Sequence, residues 1–463
     1  MFKTINAVLF FISFSFLLNA QQDSVLIAHV FIIGNKQTCD DVVLRELTVK
    51  PGQKIAYMNL PQHIEDSEVN LINTKLFNSA KINFKEENGI GEWVVRLDEV
   101  WYIYPTFIFE LADRNFNVWW REKEHALDRV NMGVRLDHIN LTGHRDKFKL
   151  KVQFGYTHKY EFNYDFPFLN EKGTWGLNLS YMYSSNKEVG YETEDNKLEF
   201  YKEDDFIYHR RRFTTVAYYR PRFRKTHSFK GEFYNNDVAE SVVESYNPDF
   251  FNGQRTRIKY FVLEYTFTNN QLDHFSYPMR GYYLEAKLRK EGLGIFNDVN
   301  MLSLSTDLEY YYKLNERWGL GHELKGRLQL NRDNPGYYHY TALGYSDNQL
   351  RGYELYVIDG LDYILGKHRI NYRIMDRSWT FGDWMFVEQF KNPRLRMYAT
   401  FALEHGYVYS PFFNEGNDLG NRWLIGGGPS LDMLMYNHFL LQVQYSFNGL
   451  GENNLFLHFN ISF

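Results

Sequence analysis

The feature of this sequence that most constrains its fold is the strict alternation over residues 455–463. Apolar side chains occupy every second position there: Leu455, Leu457, Phe459, Ile461 and Phe463. A period of two predicts a β-strand with one apolar face, because successive side chains of a strand point to opposite sides. A soluble domain rarely ends on such a strand, whereas the last strand of a membrane β-barrel closes its wall against lipid. The alternation alone is equally compatible with an ordinary buried strand.

Composition favours the membrane barrel. Aromatic residues make up 18% of the 463 residues, yet the mean hydropathy of −0.48 is that of a soluble protein. A barrel reconciles the two values, because only every second residue of its strands faces lipid and aromatic belts mark both interfaces. The net charge of −5 gives no basic footprint for nucleic acid.

The N-terminus predicts a secretory signal peptide over residues 1–20. Lys3 provides the positive end, residues 7–18 provide the apolar core, and Ala20 precedes a plausible cleavage site. The apolar run is shorter than the ~20 residues that a spanning helix needs. Cys39 is the only cysteine in the sequence, which excludes a disulfide framework and a cysteine-based zinc cluster.

Residues 24–103 predict a small α+β domain with the order β-α-α-β-β. A β-branched apolar run at 25–33 is followed by two helical segments, the second beginning near Asn59. Two alternating segments then flank Asn88-Gly89, which predicts a hairpin. A set of short motifs follows in order along this region: Gly34-Asn35, Arg45-Glu46-Leu47, Gly52 and Leu76-Phe77.

This ordered set resembles a POTRA domain, the module that precedes the barrel in the BamA/TamA family of outer-membrane assembly proteins. No second copy fits before Tyr104-Pro105. The resemblance therefore implies one POTRA domain at 21–103, located in the periplasm of a Gram-negative bacterium and able to bind a periplasmic partner. The barrel is expected over 104–463.

From Pro105 onward, alternating segments of ~10 residues are separated by turn signals, which is the pattern of a barrel. We predict sixteen antiparallel strands centred near residues 108, 133, 150, 164, 179, 214, 230, 262, 286, 306, 324, 371, 402, 427, 442 and 458. A single soluble sandwich would not accommodate so many aromatic faces. With the POTRA domain in the periplasm, the first connection between strands faces outward and the following connections alternate between the two sides. The long loops at 185–207, 236–255 and 332–365 then lie outside, and the short turns at 169–174, 313–317 and 434–437 lie inside. The segment 378–394 is too long for an inside turn and predicts a short helix or an extra strand.

The sixth and longest predicted outside loop contains Arg351-Gly352-Tyr353. This tripeptide resembles the Val-Arg-Gly-Phe/Tyr motif that the BamA/TamA family carries in the same loop. The resemblance implies that the loop folds into the barrel and that Arg351 meets an acidic side chain of the wall. A bidentate arginine–carboxylate pair would fix the loop, and glycine permits the tight turn beside it.

The partner is expected in the thirteenth strand, where the family shows Phe-x-Asp-x-Gly. Here Glu404 and Gly406 match this spacing, while Ala402 replaces the Phe and glutamate replaces the Asp. In the twelfth strand the family often places a Glu, and Asn371 stands at the nearest equivalent position.

The resemblance implies an outer-membrane insertase or translocase that works through a lateral seam between its first and last strands. Phe459, Ile461 and Phe463 would form the terminal-strand signal by which the chain itself is inserted. Outer-membrane lipid and a client protein or lipid would be its partners. Two alternatives stay open: a passive channel or transporter, and a structural component that uses the POTRA domain for docking.

No enzyme, cofactor or metal site is predicted. The sequence shows no spaced Ser/His set, no glycine-rich phosphate loop and no metal-ligand cluster. The acidic run at 188–205 lacks the spacing of a calcium loop, so a solvated loop is the better interpretation. The basic cluster at 209–212 could bind lipid phosphates, but a charged rim is favoured.

Overall fold

The computed structural model describes residues 24–87, 90–170, 172–222, 224–274, 276–345, 348–382, 393–436 and 439–461. They form two compact units. The first contains the chain up to residue 104 together with 137–148, and the second contains 105–136 and 149–463. The predicted signal peptide lies outside the described residues. Among the described residues, no helix has both the length and the apolar character needed to span a bilayer.

The first unit is built on a four-stranded sheet with two helices. Its elements are β1 (Ser24–Ile33), α1 (Asp40–Glu46), β2 (Gln53–Ala56), α2 (Leu60–Asn73), β3 (Phe77–Glu87) and β4 (Ile90–Glu99). The sheet order is β2-β1-β4-β3, with β1 and β4 parallel. Its core contains Val25, Ile27, Leu71 and Trp93, none more than 1% exposed.

The predicted small α+β region is thus confirmed, but its predicted strand order omits β2. Four residues without alternation are too short to show a period. The predicted hairpin is present as an antiparallel pairing of β3 with β4, in which Glu87 lies opposite Ile90. The turn pair Asn88-Gly89 itself lies outside the described residues.

The remaining strands follow in chain order. They are β5 (Ile103–Leu111), β6 (Val130–Ile139), β7 (Lys147–Gly155), β8 (Thr157–Phe166), β9 (Trp175–Asn186), β10 (Glu188–Glu194), β11 (Lys197–Lys202), β12 (Tyr208–Arg222), β13 (Lys225–Val238), β14 (Arg257–Asn270), β15 (Gly281–Glu291), β16 (Met301–Lys313), β17 (Trp318–Gln329), β18 (Thr341–Leu343), β19 (Ile358–Asp359), β20 (Asp362–Ser378), β21 (Arg394–Tyr409), β22 (Trp423–Met435), β23 (Phe439–Asn448) and β24 (Asn453–Ile461).

All of these strands except the pairs β10–β11 and β18–β19 belong to one sixteen-stranded sheet. Each strand neighbours the next one along the chain, from β5 at one edge to β24 at the other. The sixteen-stranded barrel is therefore confirmed, and each predicted centre falls within one of its strands. Along β16, exposed Leu304 and Leu308 alternate with half-buried Asp307, which gives the wall an apolar and a polar face.

The longer connections carry structure of their own. The predicted loop 185–207 contains the β10–β11 hairpin, and the loop 236–255 contains a π-helix at Val242–Tyr246. The predicted loop 332–365 ends earlier, because β20 already begins at Asp362. A third helix, α3 (Phe116–Arg121), follows β5. Residues 383–392 lie outside the described residues, so the element predicted within 378–394 stays a prediction.

Candidate functional site

The connection between β17 and β20, residues 330–361 and hereafter loop 6, is anchored by buried apolar side chains. Leu343 and Leu350 of the loop are no more than 1% exposed, and they pack with Leu365, Val408 and Leu424 of the barrel strands. Burying a leucine stabilises by about 1.5–3 kcal/mol, so this cluster gives the loop a defined path.

Arg351 and Glu404 meet at the tip of this loop. The backbone N–H of Arg351 donates to Oε2 of Glu404 at 3.0 Å, and Nε of Arg351 lies 3.6 Å from Oε1. Nη1 of Arg351 donates to the carbonyl of Gly428 at 3.1 Å. Nζ of Lys367 lies 3.9 Å from Glu404 and supplies a second positive charge. The contact is thus not the bidentate pair that the sequence predicts, because the guanidinium turns toward a carbonyl of β22.

Glycines leave room for loop 6 to pack closely against the barrel wall. A Cβ on Gly426 would lie 1.8 Å from the carbonyl oxygen of Arg351. A Cβ on Gly406 would lie 2.9 Å from Cδ1 of Leu343. Gly352 has a φ of +83°, a left-handed conformation that favours glycine, and a Cβ there would lie 2.7 Å from the Phe447 carbonyl oxygen. Sequence reasoning missed Gly426, although three consecutive glycines in a strand signal a close backbone approach.

Residues after Arg351 extend the contact to the last two strands. The hydroxyl of Tyr353 accepts from the Gly449 N–H at 3.2 Å, and Nδ2 of Asn448 donates to the carbonyl of Gly352 at 2.8 Å. Glu354 is 1% exposed, and Nε2 of Gln444 donates to its Oε1 at 2.5 Å. Nε2 of His458 in β24 lies 3.8 Å from the same oxygen. The tip of loop 6 thus contacts each strand from β21 to β24.

The connection between β5 and β6, residues 112–129 and hereafter loop 1, holds loop 6 from another side. The Arg114 guanidinium donates to the carbonyls of Gly344, Leu355 and Tyr356 at 2.8–3.1 Å. Burial lowers the pKa of Arg114, although arginine stays charged at any working pH. Nδ2 of Asn115 donates to the carbonyl of Glu354 at 2.8 Å. Nothing in the sequence signals these contacts, which join residues more than 200 positions apart.

A buried carboxyl group in loop 6 forms a further anchor. Oγ1 of Thr193 in the β10–β11 hairpin donates to Oδ2 of Asp359 at 2.5 Å, and the Tyr345 hydroxyl donates to Oδ1 at 2.6 Å. Burial raises the pKa of Asp359 to about 6, although the two hydrogen bonds and Arg114 oppose this rise. The protonation of Asp359 is therefore coupled to the packing of loop 6.

The tip of loop 6 lines a cavity of about 930 Å³ together with wall residues of both charges, among them Glu323, Lys325, Lys367 and Asp432. Asn371 does not join Arg351. It is 2% exposed and its Nδ2 lies 2.9 Å from Sδ of Met279.

One of the two edge strands of the barrel, β5, is more exposed than the interior strands. Phe107 and Phe109 of β5 are 89% and 69% exposed, whereas Phe229 and Phe401 on interior strands are 49% and 48% exposed. Phe459 of β24 is 61% exposed, which is close to the 62% of Trp423 on interior strand β22. Ile461 pairs with Phe439 through the backbone, while the side chain of Ile461 and all of Phe463 lie outside the described residues. The greater exposure of β5 is that of a strand with one uncovered side.

One group of metal-ligand type occurs in the first unit, although no spacing in the sequence indicates it. Ligand atoms of Cys39, Asp41 and His144 lie within 4.8 Å of one another. Asp41 and His144 are exposed, and Sγ of Cys39 is 3.8 Å from Nδ1 of His144, which matches a weak hydrogen bond. This arrangement carries no metal assignment.

Known proteins share the fold of this chain. The model of the Omp85 superfamily domain matches residues 140–431. BamA from Haemophilus ducreyi lacking POTRA domains 1–3 is similar, with a TM-score of 0.64 and 12% identity over 94% of this chain and 84% of that one. CdiB from Acinetobacter baumannii has a TM-score of 0.52 and 13% identity over 95% and 74% of the two chains. CdiB from Escherichia coli has a TM-score of 0.54 and 10% identity over 95% of this chain and 77% of that one. No curated protein matches in sequence.

Proposed function

Since the chain belongs to the Omp85 superfamily, we propose that it is an outer-membrane insertase or translocase that acts at a lateral seam between β5 and β24. The resemblance to the BamA/TamA family is confirmed by the family match and by the BamA-like fold. We further propose that residues 21–103 are a single POTRA domain in the periplasm, where it binds a periplasmic partner.

The observation that carries this proposal is the pair of edges at the two ends of the strand order, one of which, β5, is unusually exposed. β5 and β24 are the ends of the strand order, and Phe107 of β5 is far more exposed than phenylalanines of interior strands. In lipid, an uncovered strand edge leaves backbone groups without partners, each at a cost of several kcal/mol. An incoming client strand that adds to such an edge supplies those partners, so insertion needs no chemical energy source.

Loop 6 is the second element of the mechanism. Its tip neutralises the buried Glu404 with Arg351 and contacts all four strands that lead to the edge of β24. A buried charge stripped of its partner is costly, so release of the loop and loosening of these strands are expected to occur together. Arg351 and Glu404 would therefore act as a latch, with Gly352, Tyr353 and Gly406 shaping its seat.

The test is depletion of the protein followed by a protein and lipid inventory of the outer membrane. The proposal predicts loss of a defined set of outer-membrane or secreted proteins. A passive channel predicts an unchanged inventory together with robust open-pore conductance in planar bilayers. A docking component predicts that residues 21–103 alone capture the envelope partner, while Arg351→Ala in the full chain leaves the inventory unchanged.

A further inference from the structure

The helix α3 of loop 1 lies along the edge of β24. The Leu457 N–H donates to Oδ1 of Asn117 at 2.9 Å, and Nδ2 of Asn117 donates to the carbonyl of Leu457 at 3.1 Å. A neighbouring strand of an antiparallel sheet makes the same two bonds with one residue. Asn117 is only 4% exposed, so its carboxamide replaces a strand at this position.

Two further side chains extend this cover along the strand. The Arg121 guanidinium donates to the carbonyl of Leu455 at 3.2 Å and to Oδ1 of Asn454 at 2.5 Å. The Phe116 ring meets the Phe459 ring edge to face, with 5.8 Å between their centroids. Because alternate residues of a strand present their backbone groups to the same edge, Leu455 and Leu457 are consecutive docking positions. We call residues 116–121 the edge cap.

The edge cap is a weaker partner for β24 than a strand would be. A strand exchanges hydrogen bonds with every second residue. The edge cap does so at Leu457, through Asn117, whereas at Leu455 Arg121 bonds the carbonyl. Each such bond contributes only about 0.5–1.5 kcal/mol net, with somewhat more for the charged Arg121. An extended segment can therefore displace the edge cap and gain hydrogen bonds by doing so.

The edge cap is also tied to loop 6. Oδ1 of Asn115 accepts from the Val118 N–H at 2.9 Å and so caps α3, while Nδ2 of the same side chain holds the Glu354 carbonyl. Arg114 adds three bonds to loop 6. The two residues immediately before the edge cap, Arg114 and Asn115, are thus the ones that bind loop 6, and loss of either contact removes a support of the other.

We propose that the edge cap holds the strand-docking edge of β24 closed and that an extended, period-two segment of a client opens it by displacing Asn117 and Arg121. This inference rests on the proposed function and assigns the regulation of its seam. In the closed state the backbone of Leu457 is satisfied by Asn117. In the open state it is satisfied by the client strand.

The test uses the full-length chain in lipid nanodiscs and a synthetic peptide with the sequence of residues 453–463. The peptide carries a photoreactive phenylalanine analogue at the position of Phe456, and photoadducts on β24 are counted by mass spectrometry. Asn117→Leu removes both bonds at similar volume and should raise the adduct yield about tenfold. Asn163→Leu is the matched control, since Asn163 also makes two carboxamide bonds, with Asn178, but on interior strands.

A locked variant guards against a folding defect in Asn117→Leu. Cysteines at positions 116 and 459, in a Cys39→Ser background, are joined by a short reducible thiol crosslinker. The lock should reduce the adduct yield below that of the unmodified chain, and a reductant should restore it. A peptide of the same composition with broken alternation should give no adducts in any variant.

Two results would overturn the inference, and they differ in what else they overturn. Equal adduct yields on β24 in the Asn117→Leu, Asn163→Leu and locked chains would show that the edge binds strands without a cap, so that the proposed function would stand. An absence of adducts in every variant would show that the edge binds no strand, and the proposed function would fail with it.

Discussion

Replacing Arg351 with alanine should release loop 6 from the barrel wall. The substitution removes the hydrogen bond from Nη1 to the Gly428 carbonyl at 3.1 Å and the charge that faces Glu404 at 3.6 Å. It leaves the backbone N–H at position 351, which donates to Glu404, and it leaves Lys367 at 3.9 Å. Glu404 therefore loses one of three stabilising contacts rather than all of them.

The magnitude follows from these contacts. Stripping a buried charge of its partner costs about 3–5 kcal/mol, but the two remaining contacts of Glu404 reduce this value. A hydrogen bond from a charged donor contributes about 1.5–3 kcal/mol. We therefore expect a loss of about 2–3 kcal/mol, which raises the open population of the loop roughly 30- to 150-fold.

The assay is limited proteolysis of the full-length chain in liposomes, with cuts within residues 330–361 identified by mass spectrometry. At low protease concentration the cleavage rate follows the open population. Arg351→Lys keeps the charge without the planar fork and should give an intermediate rate. Arg394→Ala is the matched control, because Arg394 pairs with Asp376 at 2.8 Å but is half exposed, where a pair contributes at most about 1 kcal/mol.

A wild-type cleavage rate in Arg351→Ala would refute this reasoning, since it would mean that the contacts of Arg351 do not hold the loop. A double-mutant cycle with Glu404→Gln adds a second criterion. The two substitutions should be strongly non-additive if the side chains act as one latch. Additive effects would show that each residue acts alone.

Three further predictions concern the other anchors of loop 6. Gly426→Ala should release the loop to a similar extent, because the new Cβ would lie 1.8 Å from the Arg351 carbonyl oxygen. Gly231→Ala is the control: the new Cβ would have no other atom within 4 Å, so the proteolysis rate should stay unchanged. Arg114→Ala should cost about 2 kcal/mol of loop stability by the same assay, since it removes three hydrogen bonds from a buried cation. Because the pKa of Asp359 is raised to about 6, the folded loop binds a proton that the open loop releases, so loop stability should fall as pH rises from about 4 through 6. Asp359→Asn should remove this slope in proteolysis at pH 4.5–7, and an unchanged slope would contradict the assignment.

The barrel could be predicted from sequence because its determinants are local. A strand with lipid on one side and the lumen on the other repeats every two residues, and that period is visible in each segment from Phe109 to Phe459. The elements that were missed have no such period. β2 is four residues long, and the β10–β11 hairpin lies within a loop whose acidic composition predicts solvation.

The site was predictable only in part, since its contacts join distant parts of the chain. The resemblance placed Arg351 near Glu404, but it gave no account of the glycine seat at Gly426. Asn117 meets Leu457 across 340 positions, and an asparagine in a short helix carries no signal of that partner. Such contacts depend on how loop 1 folds against the last strand, which periodicity does not determine.

The measurement that tests the lateral seam most directly is site-specific photocrosslinking in living cells. A photoreactive amino acid replaces Phe107 or Phe459, on the two edge strands. In the control it replaces Phe229, an exposed phenylalanine on an interior strand. We expect adducts with newly made envelope proteins at Phe107 and Phe459 and none at Phe229. Adducts of equal yield at all three positions, or none at the two edges while depletion still alters the outer membrane, would contradict it.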